Sequence, residues 1–351
     1  MNSAYKYLVS TSSTFFLCCF LYLSLFYFQL GVTTYLSVGV ERLYLNKTNY
    51  AEHYSQPKLV VISGSTAFYG IRCQTFQEKI NLGCLNGGTH MGLGIEYLLY
   101  RGRTWLKPGD IVLLPLEYTH YQNNRFPSDV LIDYVMAFDP EYLNSLNWNI
   151  RLKFVMSTSV TRLVEGTINR LTQTNFRESY KYEKLLFEGK NGDNEEISKT
   201  KQTQKFRQFV EELSPLELVN LDDKTSGMKS IVAFVKWCQE RNILVLATWP
   251  NTIWFDAYNS SKTSIFFDKI ILFYQYLGVP ILGNAQDFMY DKSLFFDSIY
   301  HLNNEGIQIR TQKTIALFKD YLSDHQHGSK TVSVHGMESD TKKIKYTEMV
   351  N

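Results

Sequence analysis

The sequence predicts an α/β fold with a mostly parallel sheet covered by helices, and three observations predict it. Short apolar runs, Leu59–Ile62, Ile111–Leu114 and the stretch from Asn242 to Thr248, are each followed by turn residues and then by helical spacing. Runs apolar on both faces are what a parallel strand under helices requires. The rhythm is clear over roughly 57–120 and returns at Gly227, but it is lost from about 125 to 225, which reads as a helical insertion. Ahead of it all, no charged residue stands between Lys6 and Glu41.

That apolar opening is the first element. About 20 apolar residues cross a hydrocarbon core, and Phe15–Val32 exceeds the usual 7–15 residue signal core, with no clean small-x-small cleavage site after it. An uncleaved transmembrane anchor over 13–36 is expected, after a short segment 1–12. Charge does not orient it, because Lys6 on one side faces Arg42 and Lys47 on the other. A polar stalk, 37–56, then leads to an α/β domain spanning 57–323, and the polar stretch 324–351 reads as a disordered tail. Length permits this: 351 residues hold one large domain with an insertion, or two small ones.

Composition excludes more than it assigns. Thirty-six basic against 34 acidic residues give a net charge of +2, which offers no footprint for nucleic acid. Aromatic residues, 15% of the chain, are spread along it and read as core, while remaining compatible with stacking faces near a polymer groove. Cys18 and Cys19 fall in the apolar helix. Cys73, Cys84 and Cys238 fall in the α/β domain, where a Cys73–Cys84 disulfide is open to an oxidising compartment. No CxxC or Cys/His spacing points to zinc, so no metal and no cofactor is expected. His325, His327 and His335 read as solvated tail residues.

Within the domain, strand Leu59–Ile62 ends at Gly64-Ser65. Ligands of open α/β sheets bind beyond the carboxyl ends of the strands. Ser65 is therefore either a nucleophile at the active edge or a cap of the next helix. A helix follows over 76–80 and a short strand over 81–85. The turn Asn86-Gly87-Gly88 is either ordinary turn chemistry or a place where the Gly87 N–H approaches a reacting carbonyl. Helical spacing over 92–106 leads through Pro108-Gly109-Asp110 into strand Ile111–Leu114. Glu117 and Tyr118 emerge at the same sheet edge as Ser65 and are candidate pocket residues. Glu117 is read either as held by local partners or as a buried, neutral carboxyl that donates a hydrogen bond.

In the insertion, helical character at 129–137, 150–172 and 204–216 is interrupted by the polar stretch 189–204, read as a mobile loop. Afterwards come a helix at 228–239, the strand 242–248, a helix at 265–276, a strand at 279–282 and a final helix over about 304–322. Just before that helix lies Asp297-Ser-Ile-Tyr-His301. A histidine fixed by a carboxylate can take a hydroxyl proton, so Ser65, Asp297 and His301 supply the roles of a nucleophilic triad. Asp287 stands as the alternative acid.

With these residues the chain resembles the SGNH, or GDSL-like, hydrolase superfamily, and in particular its membrane-anchored members associated with acylation of cell-surface polymers. Gly64-Ser65 resembles the nucleophile block, Asn81–Gly88 the glycine block and Asp297–His301 the acid-histidine block. The likeness covers roughly 57–120 and 230–322. It departs from the pattern in lacking Asp between Gly64 and Ser65, in the extra residue Tyr300, and at the third block, where Leu116-Glu117-Tyr118 stands for Gly-x-Asn-Asp. An ionised glutamate cannot donate to an oxyanion as asparagine does.

The resemblance implies a flavodoxin-like SGNH three-layer sandwich, with catalytic Ser65, Asp297 and His301 and an oxyanion donor at Gly87. It implies a membrane-anchored serine acyl esterase or O-acyltransferase acting on a cell-surface polysaccharide or envelope polymer. Its soluble domain would be extracytoplasmic, periplasmic or extracellular. Its partners would be an acyl donor or acylated polymer and a membrane-bound acyl-transfer protein. The alternative from another class is a catalytically silent SGNH-like binding or assembly component of an envelope polysaccharide complex.

Overall fold

A computed structural model of the chain describes residues 3–122, 127–174, 176, 189–194, 202–218, 221–222 and 224–327. Helices are α1 (Ser3–Phe28), α2 (Tyr35–His53), α3 (Ser65–Phe68), α4 (Cys73–Ile80), α5 (Gly94–Arg103), α6 (Tyr118–Gln122), α7 (Asp129–Phe138), α8 (Tyr142–Ser145), α9 (Trp148–Met156), α10 (Val160–Thr172), α11 (Gln204–Glu212), α12 (Ser226–Gln239), α13 (Ser261–Tyr276) and α14 (Asn304–His327). Strands are β1 (Lys58–Val61), β2 (Gly83–Asn86), β3 (Ile111–Leu114), β4 (Leu244–Thr248), β5 (Thr252–Ile253), β6 (Ile281–Leu282), β7 (Met289–Tyr290), β8 (Phe295–Ser298) and β9 (His301–Leu302).

Side chains explain where helices begin and stop. Ser128, Asn147, Ser159, Thr203, Thr225 and Ser260 each accept a hydrogen bond from the backbone N–H of the residue three positions on, opening α7, α9, α10, α11, α12 and α13. The helical spacing at 150–172 is therefore divided, because Ser159 starts a second helix. Pro215 accounts for the end of α11 before 216: the residue preceding a proline is driven out of the α region.

The described residues form two compact units, one from within 1–42 and 125–185 and the other from within 43–124 and 186–351. The first is helical and contains α1, of which Ala4–Phe28 is long and apolar enough to cross a membrane. In the second, five parallel strands run in the order β2-β1-β3-β4-β6, the flavodoxin-like order 2-1-3-4-5 counted within this sheet. Leu59, Val61, Leu113 and Leu246 pack with Phe76 of α4 and with Ile315 and Phe318 of α14. Val60 and Ile62 point to the other face by the two-residue period of a strand, where Ile62 meets Gly102 of α5 and α12 packs on α5 and β4. Helices thus cover both faces.

The polar stretch expected as a stalk is helical in α2, with Tyr44, Lys47 and Ala51 buried. Residues 189–194 of the expected mobile loop are fixed: Asp193 caps α4 by accepting from the N–H groups of Cys73 and Gln74 at 2.7 and 2.8 Å, and the Asn86 N–H donates to Asn191 O. Residues 195–201 and the tail from 328, with His335, lie outside the described residues, as do the side chains of His325 and His327. Cys73 and Cys84 form a disulfide that joins α4 to β2.

Candidate active site

The site lies at the switch point of the sheet, beyond the carboxyl ends of β1 and β3, where neighbouring connections leave in opposite directions and open a crevice. β1 runs through Ser63 and Gly64 into the single turn α3, of which half-buried Ser65 is the first residue. Gly64 is required there, because a Cβ would come within 2.6 Å of Glu117 Oε1 and 2.7 Å of Met91 Cα. Among the described residues no protein group bonds the Ser65 hydroxyl or N–H, whereas its carbonyl accepts from the Tyr69 N–H at 2.9 Å.

The hairpin β8–β9 carries the other two residues. His301 Nδ1 stands 2.6 Å from Asp297 Oδ1, so the carboxylate fixes the proton on Nδ1 and leaves Nε2 as the working nitrogen. The His301 ring stacks on Tyr69, centroids 3.9 Å apart and planes 11° from parallel. Tyr69 follows Ser65 by four residues, a rise of about 6 Å along the helix axis. Leu302 N–H donates to Tyr69 O at 3.0 Å, and Asn251 accepts from Thr66 Oγ1 at 2.9 Å while donating to Tyr300 O, so backbone and side chain both dock the hairpin on α3. Gln202, ahead of α11, donates to the carbonyls of Phe295 and Phe296, and Phe206 packs on Phe296. No hydrogen bond joins Ser65 to His301; Tyr69, at the end of the turn that Ser65 opens, is the residue on which the imidazole rests. Asp287 is excluded as the acid partner in this arrangement, since it pairs with Lys313 at 2.9 Å and caps Asn284.

Glu117 does something other than line a pocket. It is fully buried; Oε2 accepts from Ser63 Oγ at 2.8 Å and from the Gly64 N–H at 3.1 Å, and Oε1 accepts from the Thr66 N–H at 2.9 Å. His120 Nδ1 lies 3.1 Å from Oε2. Burial alone raises a carboxyl pKa, but the charge and hydrogen bond of His120 and the Thr66 N–H outweigh it and hold Glu117 at about 2. The neutral, donating carboxyl open to the sequence is therefore not what the structure contains: Glu117 is an ionised acceptor that grips the turn around Ser65. Tyr118 is likewise core, fully buried against Phe266 and Phe267.

The glycine turn also departs from its expected role. The Gly87 N–H donates to Val61 O at 2.8 Å, that of Gly88 to Asn86 Oδ1 at 3.0 Å, and that of Thr89 to the carbonyls of Ser63 and Gly64. Gly87 is thus not a free oxyanion donor. A Cβ on Gly88 would come within 2.3 Å of Phe68 N, so the glycine is there to let the loop lie against α3.

What this loop delivers is His90. Its Nδ1 accepts from the Gly92 N–H at 3.0 Å, so the neutral ring carries its proton on Nε2 and presents a donor. Partial desolvation, and then the nearby charge of His301, lower its pKa. His90 and Asn251 went unnoticed in the sequence because each stands alone on a loop, with no spacing to mark it.

No known protein family matches this chain, and no curated protein does. What the arrangement can do follows from its own geometry. An oriented imidazole and a serine at a helix start, both beyond the carboxyl ends of the strands, form a set suited to acyl transfer through a serine ester. Among the described residues no group of His, Cys, Asp and Glu could hold a metal ion.

Proposed function

We propose that the chain is a membrane-anchored, SGNH-like serine acyl esterase or O-acyltransferase acting on a cell-surface polysaccharide or envelope polymer. The observation that carries this reading is the Asp297–His301 pair, stacked on Tyr69 one helical turn from Ser65. In the reaction Ser65 Oγ bonds to the acyl carbon as its proton passes to His301 Nε2, and Asp297 stabilises the imidazolium. Collapse breaks the bond to the leaving oxygen, which takes that proton. Water or an acceptor hydroxyl then repeats the steps in reverse to release the acyl group.

The Ser65 N–H, which no protein group among the described residues engages, is offered to the developing oxyanion, and His90 Nε2–H is proposed as the second donor. Two can suffice, since losing one such donor costs roughly 3 kcal/mol. The Cys73–Cys84 disulfide and the apolar α1 together favour an extracytoplasmic domain on a single-pass anchor. There it would meet an acylated polymer, or an acyl donor presented by a membrane-bound partner.

The engaged N–H groups of Gly87, Gly88 and Thr89 favour a second reading, a catalytically silent binding or assembly component. Serine-reactive fluorophosphonate separates the two. Labelling of the intact protein in detergent that is lost in Ser65→Ala and His301→Ala supports the enzyme; a folded wild type that stays unlabelled supports the silent module.

A further inference from the structure

Helix α10 is inside out. Its inward side buries Arg162 and Asn169 beside Leu163 and Gly166, while Val160, Val164, Ile168 and Leu171, at spacing i, i+4, i+8 and i+11, are 53 to 72% exposed. On α9, Trp148, Leu152 and Met156 repeat the pattern at i, i+4 and i+8 and are 71, 42 and 71% exposed. A helix packed against a core in water does the reverse, turning its apolar stripe inward. Contiguous apolar faces of this kind mark a surface that something covers.

The polar inward side is fully used within the helical unit. Arg162 pairs with Asp133 and donates to Gln29 Oε1 at 2.5 Å and Val32 O at 3.0 Å; Asn169 donates to Thr33 O at 3.2 Å. Gly166 lets this close approach occur, since a Cβ would come within 2.0 Å of Gln29 Oε1.

The partners of α10 fix its level along α1. Arg162 and Leu163 hold Gln29, Asn169 holds Thr33, and Arg170 lies 5.2 Å from the ring of Phe28, so α10 is anchored along its length to residues 28–33, where the apolar span ends. The break between α9 and α10 reaches deeper. There the carbonyls of Val155 and Thr158 lie 2.6 and 2.9 Å from the hydroxyl of Tyr22, six residues inside the end of the span, or about 9 Å at the rise of an α-helix. Meeting the carbonyls at a helix break with a hydroxyl from the span is what a medium without water favours. Interfacial helices sink about 5–10 Å into the headgroup and acyl boundary.

We infer that α9 and α10 form a second membrane contact, an interfacial helix pair whose exposed apolar faces rest in one leaflet beside α1. The occupant is lipid, because the faces are continuous in level with a helix that lipid itself would surround. This rests on α1 spanning the bilayer and not on the chemistry of Ser65.

The test uses the full chain in vesicles of phosphatidylethanolamine and phosphatidylglycerol, with Cys18 and Cys19 replaced by serine and Cys238 left buried. Single nitroxide labels at Leu17→Cys, Val164→Cys, Ile168→Cys and Lys262→Cys are read for collision with oxygen and with water-soluble nickel ethylenediaminediacetate. The expected result is that Leu17, Val164 and Ile168 collide more with oxygen than with nickel, while Lys262 in the sheet unit shows the reverse. Nickel-accessible labels at Val164 and Ile168 with a lipid signal at Leu17 overturn the inference and leave the anchor standing. Labels at 164 and 168 shielded from both reagents also overturn it, in favour of a second copy or another protein. A water signal at Leu17 overturns the anchor itself and the inference with it.

Discussion

Glu117 accepts hydrogen bonds from the backbone N–H groups of Gly64 and Thr66, the residues on either side of Ser65. One buried carboxylate therefore sets the path of the turn that presents the serine. The residue standing where the resemblance expects an oxyanion donor works from below, on the backbone.

Replacing it by its amide tests that role. In Glu117→Gln one oxygen remains to accept where two did, and an NH2 group faces a backbone or hydroxyl donor. The expected cost is about 2–3 kcal/mol of stability, the scale of a lost hydrogen bond to a charged group. Urea unfolding of wild type and variant measures it; an unchanged midpoint refutes the anchoring role.

The same carboxylate sets a pH dependence. Its folded pKa, about 2, lies below the ordinary carboxyl value of 4.5, so the unfolded chain binds its proton first as pH falls. The stabilisation is fully present above about pH 4.5 and is lost as pH falls toward 2. Its size is on the order of 3 kcal/mol, from 1.36 kcal/mol per pKa unit. Acid titrations of stability for wild type and Glu117→Gln should converge across this window, and parallel curves would refute the assignment.

Asp297→Asn should disable the serine while leaving the fold intact. The amide can donate to Nδ1 and so favours the tautomer with the proton on Nε2, which cannot accept from Ser65. In a serine triad this change lowers turnover roughly 10⁴-fold. Fluorophosphonate labelling should fall by a similar factor, whereas Asp287→Asn should label at the wild-type rate. Equal loss in both variants would point away from Asp297 as the orienting acid.

Tyr69 positions His301 through the stacked ring. Tyr69→Phe keeps the stack and should keep the labelling rate. Tyr69→Leu removes an aromatic contact of about 1 kcal/mol, so labelling should slow about fivefold if the contact is fully expressed at the transition state. Identical labelling rates in all three proteins would show the stack to be incidental.

The Cys73–Cys84 bridge closes a loop of 11 residues. Chain entropy assigns such a loop about 3 kcal/mol. The Cys73→Ala/Cys84→Ala protein should lose stability of that order, and a reductant should destabilise wild type but not the double variant. Insensitivity of the wild type to reductant would deny the bridge a stabilising role.

The alternation of buried strands and helices, the presence of an apolar helix near the start and the pairing of Asp297 with His301 were all legible in the chain, because each depends on local periodicity or on residues four apart; the helix runs over Ser3–Phe28 and not over 13–36, since the chain turns at 29–34 before α2. Residue types also marked Ser65 and Glu117 as standing at one sheet edge. What each does there required the third dimension. Whether Gly87 donates to a substrate or to Val61, and whether Glu117 faces a pocket or the Ser63–Thr66 turn, depends on which atoms the parallel register of β1, β2 and β3 brings within 3 Å. The inverted face of α10 was hidden for the same reason: spacing shows that a helix has an apolar side, and only its partners Gln29, Thr33 and Asp133 decide that this side turns outward.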